Sequence, residues 1–168
     1  MLVTLFLTLG SALSAPAPPE GFVRAEVAGV APSPMGPAVL LTVTSRERVV
    51  PIWVGESEAA TIALRVSKRD APRPMTHDLL DRVTGELGGR FVAVRIDALE
   101  GRSFTAEVDL AGRKKAVHTL DLRASDAIAI ALGHDLPIWL ATVVMEEAGV
   151  DPTQLPPSPA PGEEVPRL

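Results

Sequence analysis

Arg48-Val49-Val50-Pro51-Ile52-Trp53-Val54-Gly55-Glu56-Ser57-Glu58-Ala59-Ala60-Thr61-Ile62-Ala63-Leu64-Arg65-Val66 changes its repeat at Gly55. Before the glycine, a β-branched apolar run predicts a strand, and Pro51 assigns that strand to an edge or a bulge because proline removes a ladder donor. After it, Ala59, Ile62, Ala63 and Val66 recur at i, i+3, i+4, i+7, which places one apolar face on a helix from about Glu56 to Ser67. Working outward, Ala38–Thr44 pairs with Arg48–Val54 as a hairpin across Ser45-Arg46-Glu47. Phe22–Ala28 alternates Val23, Ala25 and Val27 with Arg24 and Glu26, the period of a strand with one wet face. On the other side, Thr76 is the expected cap of a helix whose stripe is Leu79, Leu80, Val83 and Leu87, ended by Gly88. Arg90–Asp97, Ser103–Asp109 and Lys115–Asp121 then alternate across two short Gly-containing turns and predict an antiparallel meander. Ser125 is the expected cap of an Ala- and Ile-rich helix to Leu132, stopped by Gly133. The short strand Pro137–Leu140 and a final helix from about Thr142 to Ala148 complete the pattern.

The reading is therefore α+β: one domain with a mixed or antiparallel sheet, a three-strand meander and about four helices. Pro51-Ile52-Trp53-Val54 returns as Pro137-Ile138-Trp139-Leu140, each beside an Ala/Ile-rich helix. An internal duplication explains the echo, and so does the cheapness of four-residue matches in apolar strands.

Composition narrows the chemistry. With 168 residues, 46% of them hydrophobic, the chain suits a single core. A net charge of −5 excludes a broadly basic surface that grips polyanions, so contact with nucleic acid has to be a local patch. The absence of cysteine excludes thiol catalysis, disulfide scaffolds and zinc ribbons.

Met1–Leu13 is apolar but shorter than the roughly 18 residues a membrane span needs, so no integral membrane segment is expected. Small residues at Ala12, Ser14 and Ala15, followed by Pro16, Pro18 and Pro19, give residues 1–20 the order of a secretory signal and Pro-rich linker, and so a periplasmic or secreted protein. No Lys or Arg precedes the apolar run, which suits instead a misassigned start or a packed N-terminal strand in a cytoplasmic chain. The mass of the mature protein separates these readings, since a signal takes about 14 to 17 residues with it. Residues 21–150 form the expected domain. Residues 151–168 hold six of the sixteen prolines among small and acidic residues and read as a disordered tail.

Three polar clusters stand where a strand or loop enters a helix, the place where free N–H groups and the helix dipole favour anions. In Gly55-Glu56-Ser57-Glu58, the carboxylates serve as dipole partners and caps, or Glu58 serves a metal or an activated water. In Arg73-Pro74-Met75-Thr76-His77-Asp78, a capped helix carries an exposed histidine, or His77 exchanges a proton near neutral pH. Arg123-Ala124-Ser125-Asp126 is a cap with an incidental arginine, or Arg123 joins Arg73 in a shared groove as a bidentate phosphate clamp. Arg65, Lys68, Arg69 and Arg73, opposed only by Asp70, form a solvated face or a phosphate-attracting patch; Arg113-Lys114-Lys115 is a shorter run at a hairpin tip. His118 reads as a core or interface histidine and His134 as a solvated one. Few aromatics accompany the basic runs, so a stacking platform is not expected.

Together, Pro51–Ala59, Arg73–Leu80 and Arg123–Ala129 resemble the bifunctional nuclease domain family, in order and spacing, across about residues 23–150. Ala124 stands where the family pattern usually has proline. The resemblance implies an α+β domain, often self-associating, with nuclease activity on both DNA and RNA. Hydrolysing a phosphodiester needs a positioned water, stabilised phosphoryl charge and help for the leaving oxygen. On the matching positions, Glu58, Asp78 and Asp126 are the expected ligands of a divalent metal such as Mg or Mn. His77 is the alternative proton carrier, and Arg73 and Arg123 bind the substrate phosphate. The rival reading is a non-catalytic oligomeric module in which the same residues cap helices and bridge subunits.

Overall fold

The computed structural model describes residues 17–113 and 116–154. The expected signal segment to residue 16, the hairpin-tip lysines 114 and 115, and the expected tail beyond Gln154 lie outside them. Seven strands form one mixed sheet: β1 (Phe22–Ala31), β2 (Ala38–Val43), β3 (Arg48–Trp53), β4 (Arg90–Glu100), β5 (Ser103–Ala111), β6 (Val117–Arg123) and β7 (Ile138–Ala141). Their order is β3-β2-β1-β7-β4-β5-β6. The helices are α1 (Glu56–Val66), α2 (Thr76–Glu86), α3 (Ala124–Gly133) and α4 (Thr142–Ala148).

The sheet consists of two antiparallel meanders joined through β1 and β7. Phe22–Ala25 of β1 pairs with β7, and Glu26–Ala31 pairs with β2, with the register shifting between Val27 and Gly29. β7 lies parallel to β4, the one parallel pairing. Pro51 falls on β3 at the edge of the sheet, as a residue without an N–H requires.

A second register shift, between Phe91 and Ala93, explains why Phe91 and Val94 are both buried although three residues apart in a strand. The extra residue resets the alternation, so Val94 and Ile96 follow Phe91 into the core. Between the core-facing Val94 and Ile96, Arg95 projects from the opposite face. Its Nη1 and Nη2 donate to the two oxygens of Asp109, each at 2.7 Å, and Thr119 Oγ1 donates to Asp109 at 2.8 Å. That ladder fixes β4, β5 and β6 against one another.

α3 is buried along most of its length: Ala124, Ala127, Ile128, Ala129, Ile130 and Ala131 are all inaccessible. Its alanines let α1 approach closely, and Ile62 of α1 joins the same core. The buried face of α1 is not the purely apolar one that periodicity predicts. Thr61 is buried and Ala63 exposed, because Glu58, Thr61 and Arg65 turn toward the neighbouring helices.

α2 departs further from expectation. Its stripe Leu79, Leu80, Val83 and Leu87 faces solvent, with Leu87 71% exposed, while His77, Asp78 and Asp81 face inward. Burial of an apolar stripe therefore does not hold this helix. Polar ties do: Arg65 donates through Nη2 to Asp78 at 2.9 Å and Asp81 at 2.7 Å, and through Nη1 to the carbonyl of Ala129 at 2.6 Å. His134 is exposed, as expected, and also bonds Asp81 at 3.0 Å and meets the edge of the Phe91 ring. His118, by contrast, is exposed on β6 rather than part of the core.

The helix starts also shift. α2 has Met75 as N-cap, and Asp78 at the third position accepts the Met75 N–H at 2.8 Å, so the acid and not the Thr76 hydroxyl defines the start. α3 has Arg123 as N-cap, which moves Ser125 to the second position. The two tetrapeptide echoes occupy unlike places, an edge strand and a central one. The repetition in the structure is instead of the unit meander-then-helix, β1–β3 with α1 and β4–β6 with α3. After α4, Val150 exchanges two backbone bonds with Val49 and partly covers the β3 edge; Pro152–Gln154 makes one 3-10 turn.

Gly133 ends α3 against the Arg65 guanidinium, and a Cβ there would lie 2.8 Å from Arg65 Cζ. In an open helix Gly→Ala gains about 0.5–1 kcal/mol. Here Gly133→Ala is expected to reverse that sign and cost about 1–3 kcal/mol by displacing Arg65. Thermal melting reports it; a variant at least as stable as the parent would refute the role given to Arg65.

Candidate active site

Three helix starts meet at one cleft. Glu58 is the third residue of α1, and Asp126 is the third residue of α3, each preceded by serine and followed by alanine. His77 is the second residue of α2. First-turn residues of all three helices thus line the same cleft.

Arg123 joins two of them. Its Nη2 donates to Glu58 Oε1 at 2.6 Å and to Asp126 Oδ1 at 3.0 Å, and its Nε donates to Asp126 Oδ2 at 2.8 Å. Asp126 Oδ1 also lies 3.0 Å from His77 Nε2, which brings in α2. The chain Glu58–Arg123–Asp126–His77 lines a cleft of about 470 Å³ with Ser57 and Thr76, over an apolar floor of Leu122 and Ile130. His77 is 8% exposed and not the exposed histidine of the simpler sequence reading. Gly55 is needed beside this chain: a Cβ on it would sit 2.5 Å from Glu58 Oε2.

Hydrogen bonding keeps the acids ionised. Glu58 is held below its ordinary value by its own backbone amide first and by Arg123 second. Burial works against the charge of Asp126, but the bonds from Arg123 and His77 outweigh it and its pKa is lowered. Asp126 and Glu58 in turn hold the Arg123 guanidinium in its charged form. Both Nη1 protons of Arg123 remain unused among the described residues.

Two of the motif residues stand elsewhere. Asp78 turns to the Met75 amide and Arg65, which lower its pKa in that order, and it lines a different cleft. Arg73 is exposed, lines neither cleft and forms no ion pair among the described residues. The structure therefore does not assemble Glu58, Asp78 and Asp126 into one carboxylate set, nor two arginines into one clamp. Among the described residues no group of three or more His, Asp or Glu is placed to hold a metal ion. Glu58 and Asp126 are also both engaged by Arg123. The residues do not fit the expected divalent metal, and no step below runs through one.

Matching of the bifunctional nuclease domain pattern to residues 39–153 decides the family. The chain belongs to the bifunctional nuclease domain family. Two relatives from Mycobacterium tuberculosis, strains CDC 1551 and H37Rv, are each 38% identical over 114 residues, 68% of this chain and 67% of theirs. Both are described as uncharacterized proteins. In this bifunctional nuclease domain the match starts inside β2, so β1 lies before it, although β1 joins β2 to β7 in the sheet. Arg65 is the residue that the sequence leaves among a basic run; it stands off the apolar face marked by Ala59, Ile62, Ala63 and Val66, so no local signal pointed to it.

Glu58, Asp78, Asp109 and Asp126 all have lowered pKa values in the folded chain. Their contribution to stability is therefore complete above the ordinary values of 3.8 for Asp and 4.5 for Glu and is lost as pH falls through the folded values. The melting temperature is expected to fall steeply once pH drops below about 4, and less steeply in Asp126→Asn. An Asp126→Asn acid limb as steep as the parent's would contradict the paired state of Asp126.

Proposed function

We propose that the protein hydrolyses phosphodiester bonds in DNA and RNA at the cleft between the starts of α1, α2 and α3. The observation that carries this reading is that all three family motifs send a side chain into that cleft. Its chemistry uses the residues placed there. Asp126 orients the His77 ring through Nε2, as a carboxylate orients imidazole in hydrolytic dyads, which leaves Nδ1 as the proton-carrying atom. Water attacks phosphorus, the bond to the leaving oxygen breaks, and His77 carries the proton between them. Arg123 offers its free Nη1 protons to a phosphoryl oxygen, and Glu58 fixes the guanidinium plane.

The test incubates the full chain with labelled DNA and RNA, with magnesium, manganese or chelator as separate arms. His77→Gln and Arg123→Lys are expected to lower the rate by about 10² or more, the usual contribution of a positioned proton carrier or charge stabiliser. Melting curves check that each variant is folded. Equal cleavage by parent and variants identifies a contaminant, and folded parent protein that never cleaves any substrate removes the enzyme reading in favour of a binding module.

The same reading includes self-association. β6 is an edge strand with Val117 57% and Leu120 46% exposed, and no described segment covers it as Val150 covers part of β3. Long exposed apolar edges are normally paired or blunted by charge. A second copy pairing along β6 supplies the cover. Light scattering is expected to give at least a dimer, and Leu120→Lys a monomer; a parent monomer at high micromolar concentration would overturn this part.

A further inference from the structure

The basic run between the first two motifs is not used by the candidate active site. Lys68 and Arg69, just past α1, and Arg82 of α2 line a second, larger cleft of about 1070 Å³. Thr61 and Met75, in contact with each other, stand in the walls of both clefts, so the two are neighbours across a shared wall. The three cations are exposed and form no ion pair among the described residues. Of the acids in the same wall, Glu26 lies 3.8 Å from Arg24, Asp78 and Asp81 share the single charge of Arg65, and Asp70 and Asp135 form no ion pair among the described residues, so the wall is balanced in charge and the three cations act through their exposed, unpaired groups.

The backbone at Lys68 is a separate sign. Arg69 N–H donates to Leu64 O at 2.9 Å and Lys68 N–H to Arg65 O at 3.2 Å, the paired bonds of a Schellman helix end. The left-handed residue of that motif is usually glycine, and here it is Lys68 at φ 51°. A lysine is thus kept where the backbone alone favours glycine, and its side chain lines the cleft.

We propose that this cleft grips the phosphate backbone of single-stranded nucleic acid beside the candidate active site, through Lys68, Arg69 and Arg82. The identity of the strand rests on the nuclease reading above; the grip itself does not. No aromatic side chain lines the cleft, so base stacking contributes nothing and binding is electrostatic, indifferent to sequence and sensitive to salt. A concave cleft between helices admits one flexible strand more readily than a rigid duplex.

The test measures fluorescence anisotropy of a labelled DNA single strand with the full chain in chelator, over a series of salt concentrations. Three phosphate contacts on a single strand give a slope of log affinity against log salt of about −2, roughly 0.7 per contact. Lys68→Gly, Arg69→Ala and Arg82→Ala are each expected to weaken binding about fivefold at 0.1 M salt and to flatten the slope by about 0.7. Lys68→Gly is also expected to melt at a higher temperature than the parent, so its loss of binding is not unfolding. Arg102→Ala, on the β4–β5 turn, serves as the control and leaves affinity and slope unchanged. Unchanged affinity in all three cleft variants, no binding at all, or tighter binding of the matching duplex would overturn the proposal. Cleavage is scored separately: binding that depends on these residues without cleavage removes only the nuclease reading, and cleavage without that dependence removes only the cleft.

Discussion

The Arg65 guanidinium holds the helical layer together. It starts on α1, bonds two carboxylates of α2, and reaches a carbonyl of α3. Because the leucines of α2 point outward, no comparable apolar contact stands in for these bonds. The Arg65 side chain is only 11% exposed, so a variant lacking it would leave Asp78 and Asp81 facing each other without a counter-charge. Removing one partner of a buried pair costs about 3–5 kcal/mol. Asp78 is 41% exposed, which lowers that figure here. Since α2 also delivers His77, the position of the candidate proton carrier depends on an ion network centred on an arginine of another helix.

Much of the fold was legible because period and punctuation agree in it. The change of repeat at Gly55, the meander turns and the Gly133 stop each fix an element from local residues. Where the reading failed, a long-range polar partner had won over a local rule. Thr76 and Ser125 look like caps, but Asp78 and Arg123 take the decisive positions. Leu79, Leu80, Val83 and Leu87 have the period of a buried stripe, yet sequence cannot show that the opposite face finds Arg65 and Asp126. The same limit applies to the site. Glu58, His77, Arg123 and Asp126 could be named from their motifs and do converge. Asp78 could be named equally well and does not, because its partner Arg65 lies on another helix.

The charge arrangement of the cleft bears on its chemistry. Two carboxylates share one arginine, so the set is not a general magnet for phosphate. The three helix starts offset part of that negative charge. Attraction at longer range has to come from elsewhere on the surface, and the exposed cations Lys68, Arg69 and Arg82 are its proposed source. In the proposed reading, binding and bond-breaking use different groups: exposed, unpaired cations for one, and paired, oriented side chains for the other.

The paired helix starts have a mechanical meaning as well. Glu58 belongs to the first meander-helix unit and Arg123 to the second, so the bond between them spans a seam. The units are stitched at sheet level by β1 and β7: β1 passes from β7 to β2 between Ala25 and Glu26, and its register with β2 slips between Val27 and Gly29. A charged bond in the helical layer thus backs the crossing that β1 and β7 make in the sheet, so the two units are tied twice, once through side chains over the cleft and once through backbone beneath the helices.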